Sequence, residues 1–227
     1  MDDVRLTRRA SLTGLLGGVL ALAGWKAASS KAAGGPAAVA SGQVTCVLTP
    51  ELTEGPYYID GEKLRRNITE GKTGAPLTLR LAVVNASTCR PIKGATVDIW
   101  HADASGVYSG FGAGSGNRTF LRGIQKTDAT GAATFRTIYP GWYPGRAVHI
   151  HVKVHVAGNV VHTGQLFFND TVTDAVYRRS PYSRRPNRTS RNAADSIYVN
   201  GGSKSVVRIR KQGTGYAGAV TMGVHAS

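Results

Sequence analysis

The chain has 227 residues, enough for one domain or for a domain with an appendage. Hydrophobic residues make up 41% and charged residues 18%, which excludes a disordered chain; two cysteines, Cys46 and Cys89, exclude a Cys-rich metal cluster and a disulfide-dense scaffold. Lys and Arg number 28 against 13 Asp and Glu, a net charge of +15, and no apolar run reaches the roughly 20 residues of a membrane-spanning helix.

The first forty residues read as an address. Arg5, Arg8 and Arg9 precede an uncharged stretch from Ala10 to Trp25, and Thr7-Arg8-Arg9 followed by Leu12 has the form of a twin-arginine export signal. Ala38-Val39-Ala40 is a candidate cleavage site, so residues 1–40 are expected to be a leader and 41–227 a single domain, periplasmic or extracellular. An oxidising destination leads us to expect that Cys46 and Cys89 pair, constraining the unfolded chain by roughly 4 kcal/mol.

Strand patterns dominate the body. Leu77–Val84, Ala95–His101, Phe120–Lys126, Ala132–Ile138, Val148–Val156, Val160–Phe168, Ser205–Arg210 and Ala219–Val224 alternate or run apolar between turns. Asp128-Ala129-Thr130-Gly131 reads as the turn of a hairpin, and Ala157-Gly158-Asn159 as that of another. The one amphipathic helix is Thr171–Arg178. Many short strands joined by Gly and Pro turns predict an all-β fold, a β-sandwich of mixed or antiparallel strands with long functional loops.

The segment richest in chemistry is PGWYPGRAVHIH, residues 140–151. From Val148 to Val156, valine and isoleucine take one face while His149, His151, Lys153 and His155 take the other. Residues i and i+2 lie about 6.6 Å apart along a strand, so His149 and His151 can reach one metal, whereas His155 stands roughly 13 Å beyond His151. A polar, solvent-facing strand is the competing reading. Two imidazoles need further donors from Asp, Glu, Tyr or water; Tyr143 and Tyr108 are two candidates, and phenolate oxygen suits a hard trivalent cation. His101, Asp103, His162 and His225 read as packing or surface residues, and Tyr57 and Tyr58 as turn aromatics or substrate contacts.

Asp98-Ile99, six residues, then Gly106-Val107-Tyr108, together with PGWYPGRAVHIH, resemble the ligand segments of the intradiol ring-cleavage dioxygenases, the catechol and protocatechuate 3,4-dioxygenase-like family, in its secreted single-domain branch. The resemblance covers roughly Cys46 to Tyr198. It implies one mononuclear non-haem Fe(III) held by Tyr108, Tyr143, His149 and His151, and catechol-type substrates cleaved with O2 to muconate-type diacids. It further implies that Tyr143 leaves the metal as the diol binds, that Arg146 stabilises negative charge on the ring, and that Gln165 assists. Glu54-Gly55-Pro56-Tyr57-Tyr58 resembles the segment near the substrate pocket and makes Pro56, Tyr57 and Arg146 candidate substrate contacts. Tyr143 and His149 stand closer together than in the protocatechuate enzymes, so the accepted ring substituents stay open.

Gln165 supplies a geometric test. A three-residue loop over Ala157-Gly158-Asn159 pairs His151 with Gln165 on one face; a two-residue loop over Gly158-Asn159 puts Gln165 on the valine face unless a bulge intervenes. The six arginines from Arg178 to Arg191 read as a solvated loop or an anionic-surface contact, with nucleic acid not expected for an exported chain. A second class of function is a secreted β-sandwich module that binds polysaccharide or aromatics without turnover; a zinc hydrolase is disfavoured because no carboxylate or third His lies near the His149–His151 pair.

Overall fold

The computed structural model describes residues 48–226 apart from 62 and 113. The expected leader and Cys46 lie outside the described residues. Eight strands follow one another: β1 (Pro76–Asn85), β2 (Thr96–Trp100), β3 (Arg122–Lys126), β4 (Ala132–Ile138), β5 (His149–Val156), β6 (Asn159–Phe167), β7 (Arg208–Gln212) and β8 (Gly215–Val224). Helix α1 (Asp170–Tyr177) starts at Asn169, whose side chain accepts from the Thr171 amide, and a short helix α2 (Ser196–Val199) starts at Asp195. No helix among the described residues is long and apolar enough to cross a membrane.

The strands form two four-stranded sheets, ordered β4-β1-β8-β7 and β3-β2-β5-β6. All pairings are antiparallel except β1 with β8, which run parallel. Alternation explains why the sheets stack. Leu77, Leu79, Leu81 and Val83 of β1, with Val220 and Met222 of β8, face Val97 and Ile99 of β2 and Ile150, Val152 and Val154 of β5. Each such side chain contributes about 1.5–3 kcal/mol by leaving water. The all-β sandwich expected from the sequence is the fold observed.

One expectation fails. The Asp128–Gly131 turn does not close a hairpin, because β3 pairs with β2 and β4 pairs with β1, in the other sheet. The turn itself is tight: the Asp128 carboxylate accepts from the amides of Thr130 and Ala132. Its flanks, however, leave in different directions. Thr127 N–H bonds to the Ala95 carbonyl while Val83 N–H bonds to the Gly131 carbonyl, so the chain crosses from one sheet to the other here.

The other turn settles the register. It is a two-residue turn of Ala157 and Gly158, both in the left-handed region (φ +49° and +85°), with Val156 opposite Asn159. Continued unchanged, that register would turn Gln165 toward the core. Instead His155 pairs with Val160 and Val154 with His162, leaving Val161 as one extra residue on β6. The bulge restores His151 opposite Gln165, on the outer face.

Candidate active site

The candidate site lies on the outer face of the second sheet, where β2 and β5 present Trp100, His149, His151 and Lys153. A polar sheet face would ordinarily be wet, yet His149 is 3% and His151 1% exposed. A strap of residues 51–58 covers them. Leu52 N–H donates to the Thr163 carbonyl, Gln165 Nε2 donates to the Thr53 carbonyl, and Lys153 pairs with Glu54. Gly55 rests on His151: its φ is +72°, and a Cβ there would stand 3.2 Å from His151 Cε1. The Tyr57 ring then stacks on Tyr108, 4.3 Å between centroids, and Tyr58 packs on Trp100. Pro56 is exposed on the outside of this strap.

Tyr108 arrives from the loop after β2. Asp103 builds that loop: its carboxylate accepts from the amides of Ser105 and Val107, and its own amide donates to the Val107 carbonyl. Gly106 sits at φ +83°, where an added Cβ would come within 2.2 Å of the Trp142 carbonyl oxygen. The loop therefore doubles back against the segment that carries Tyr143. Arg185 joins the two loops, donating to the carbonyls of Ala104 and Trp142 while its guanidinium lies over the Trp142 ring. Arg122 fixes the far side of Tyr108, donating to the Ser109 hydroxyl, the Ser109 carbonyl and the Tyr57 carbonyl.

The four expected side chains converge. Tyr143 Oη and His151 Nε2 each lie 3.1 Å from His149 Nε2. Tyr108 approaches Tyr143 and His151 edge-on, with ring centroids 5.7 and 5.9 Å away. His149 Nδ1 donates to the Ala147 carbonyl, which leaves a lone pair on Nε2. Burial and the Arg146 charge push His149 down to about 3, and burial with neighbouring His149 pushes His151 well below its ordinary value. Both imidazoles are thus neutral donors at physiological pH. Burial, then Tyr143, raises the Tyr108 phenol well above its ordinary value, with Arg146 and Arg122 opposing. Burial also raises Tyr143, against the nearby Arg146.

This donor set fits a hard, highly charged metal ion. Tyr108 Oη is buried without a hydrogen-bond partner, an arrangement that costs about 1–3 kcal/mol unless something engages the oxygen. A cation among these atoms would satisfy it and would overcome the raised phenol pKa values. Among the described residues no three His, Cys, Asp or Glu side chains group to hold a metal, so ligation here requires phenol oxygen.

Arg146 and Gln165 lie beside the donors and touch each other: Arg146 Nη2 donates to Gln165 Oε1. Asp195 fixes that pair. It is 1% exposed and accepts from Arg146 Nε at 2.9 Å and from the Ala147 amide at 2.7 Å, while also capping α2 through the amides of Ile197 and Tyr198. No local pattern marks Asp195 in the sequence. Trp100 stacks on His151 with centroids 5.0 Å apart.

His101 is a packing residue, donating from Nδ1 to the Ala102 carbonyl and accepting at Nε2 from Thr137. His162 is buried against Glu51. In the arginine run, Arg188 and Arg191 pair with Asp170 and Asp174 and Arg185 joins the ligand loops, so only Arg178, Arg179 and Arg184 face solvent with no ion pair to a described residue.

A β-sandwich that gathers two phenols and two neutral imidazoles in a buried pocket has a donor set suited to a metal ion, and comparison with known proteins gives the family. A family model described as a dioxygenase matches residues 53–178. The intradiol ring-cleavage dioxygenase from Tetranychus urticae superposes with TM-score 0.76 at 39% identity, over 79% of this chain and 95% of that one. The dioxygenase domain of a dioxygenase carbohydrate-binding protein fusion from Streptomyces sp. SirexAA-E gives TM-score 0.62 at 32% identity, over 79% and 99%. The chain belongs to the intradiol ring-cleavage dioxygenase family. Among curated proteins it is 34% identical to catechol 1,2-dioxygenase 1 of Acinetobacter lwoffii over 42% of this chain and 32% of that protein. It is 29% identical to the chlorocatechol 1,2-dioxygenase of Cupriavidus pinatubonensis over 56% and 57%. The matches thus span about a third to just over half the length of these relatives.

Proposed function

We propose that this chain is an exported, mononuclear non-haem Fe(III) enzyme that opens catechol-type diols between the two hydroxyl-bearing carbons. Both atoms of O2 enter a muconate-type diacid. The observation that carries the reading is the convergence of Tyr108, Tyr143, His149 and His151 in a site shielded from water, beside a charged Arg146. Tyr108, Tyr143, His149 and His151 would hold the ion, and Fe(III) when bound supplies the Lewis acidity that lets a diol lose its protons near neutral pH.

The protein's own groups have distinct tasks. Tyr143 is half-buried between Pro140 and Arg146 on a Pro- and Gly-rich loop, so it is the one whose oxygen, a phenolate when it holds the ion, would swing away and take a substrate proton. Tyr108, pinned by Tyr57 and the Ser109–Arg122 contacts, stays. Arg146, fixed by Asp195 and Gln165, holds a permanent positive charge where the ring becomes electron-rich. The strap excludes water from the His151 side. Export by the twin-arginine route and a Cys46–Cys89 disulfide complete the proposal. A module that only binds ligands would have no need of a buried, unpartnered phenol.

The test is a visible absorption spectrum of the purified iron-loaded protein, then catechol without oxygen, then O2. Tyrosinate-to-Fe(III) charge transfer should colour the protein red-brown, the band should shift with catechol, and O2 should yield the diacid. A protein that stays colourless after Fe(III) loading overturns the reading.

A further inference from the structure

We propose that the outer face of the β4-β1-β8-β7 sheet, on the opposite side of the sandwich from the candidate active site, docks the chain onto a linear acidic polysaccharide. The sheet contains no Asp or Glu in any of its four strands. It does contain Arg80, Arg136, Arg208 and Arg210, all exposed. The register sets them out as a grid. Thr134, Arg80, Ala219 and Arg208 lie side by side across the sheet, and Arg136, Thr78, Ala217 and Arg210 form the next row.

Small residues between the arginines leave a furrow. One cavity of about 480 Å³ is lined by Arg80, Arg208, Arg210, Ala217 and Ala219 among others. A second, of about 440 Å³, is lined by Arg136, Asn67 and Thr69 among others. The two share Thr78, and neither lining includes a carboxylate. Strands lie about 4.8 Å apart, so the furrow runs at least about 14 Å across the sheet, the reach of a few sugar units.

Charge on an edge strand has another use, since it deters edge-to-edge pairing. That accounts for Arg208 and Arg210 on β7. It does not account for Arg80 on β1, which is flanked by strands on both sides. The rest of the lining narrows the partner. Neither cavity has an aromatic side chain on which bases could stack, which disfavours single-stranded nucleic acid. The exposed large apolar residues Leu48, Leu64, Phe111, Val160 and Val199 all lie outside the furrow, which disfavours insertion into a membrane. Guanidinium groups for carboxylates or sulfates, with Thr, Asn and Gln for hydroxyls, suit an acidic glycan.

The experiment is affinity electrophoresis of the full chain through gels containing polygalacturonate, with single-stranded DNA and phosphatidylglycerol vesicles as rival probes. R208E/R210E is compared with R178E/R179E, which changes net charge equally on an exposed segment elsewhere. The expected result is retardation by polygalacturonate that weakens with salt, falls at least about tenfold in R208E/R210E and persists in R178E/R179E. Thermal melting of both variants checks that they fold, and R80Q gives a milder test should the double variant fail. Absence of retardation, equal loss in both variants, or tighter binding to DNA or vesicles overturns the proposal. Catechol turnover is measured alongside and should match the wild type, because this face does not include the donor set.

Discussion

Asp195 receives four hydrogen bonds from two segments, and two of them fix groups beside the donor set. Its carboxyl is held below the usual range, because the Ala147 amide and the Arg146 guanidinium outweigh its burial. Asp195→Asn keeps the shape and loses the charge; kcat/KM for catechol is expected to fall about tenfold or more, with the visible band of the iron-loaded protein shifted as Ala147 and hence His149 move. Asp195→Ala also strands Arg146 and should cost about 3 kcal/mol in urea unfolding. Tyr108→Phe and Tyr143→Phe each remove a phenolate, and loss of charge-transfer intensity with turnover reduced about 10²-fold or more is expected on iron titration. Gly55→Ala puts a methyl group at a left-handed φ and against His151, so iron affinity and the melting temperature should both fall.

At the scale of elements, the β5–β6 hairpin shows what a sequence can and cannot convey. The faces of β5 were legible from strict alternation, and the tyrosine and histidine segments from their motifs. The position of Gln165 was not, because a two-residue turn and a bulge at Val161 give the same outcome as a longer turn without one. Deleting Val161 should send Gln165 toward the core and break its contact with Arg146; the expected readout is turnover lost by at least about 10²-fold, or insoluble protein, whereas deletion in an exposed loop would be mild. The Asp128–Gly131 turn misled for a related reason. Local turn chemistry fixes a reversal of direction, but β3 and β4 belong to different sheets because β2 and β1 provide their partners. Asp195 and Arg185 were illegible because their partners lie some 40 to 80 residues away, where no periodic pattern reaches.

For the whole molecule, buried histidines set the response to acid. Burial pushes His101 down to about 4. In the unfolded chain it binds a proton below about 6.5, so its contribution is complete above that pH and is lost as pH falls toward 4, by about 3 kcal/mol. His149 and His151, depressed in the same direction, add to the slope in metal-free protein. Urea unfolding at pH 7, 5.5 and 4.5 should show this loss, and His101→Asn should flatten it by up to one proton. The strap carries a consequence for the order of assembly. Its anchors, Thr163, Gln165 and Lys153, are made roughly a hundred residues after it, so the first of the described residues to be synthesised are among the last that can be seated. The histidines of β5 precede two of those anchors in the chain, and the segment that shields the finished site would close the approach of an ion from the His151 side. On the proposed reading, an ion taking that route would have to be loaded before the strap is seated.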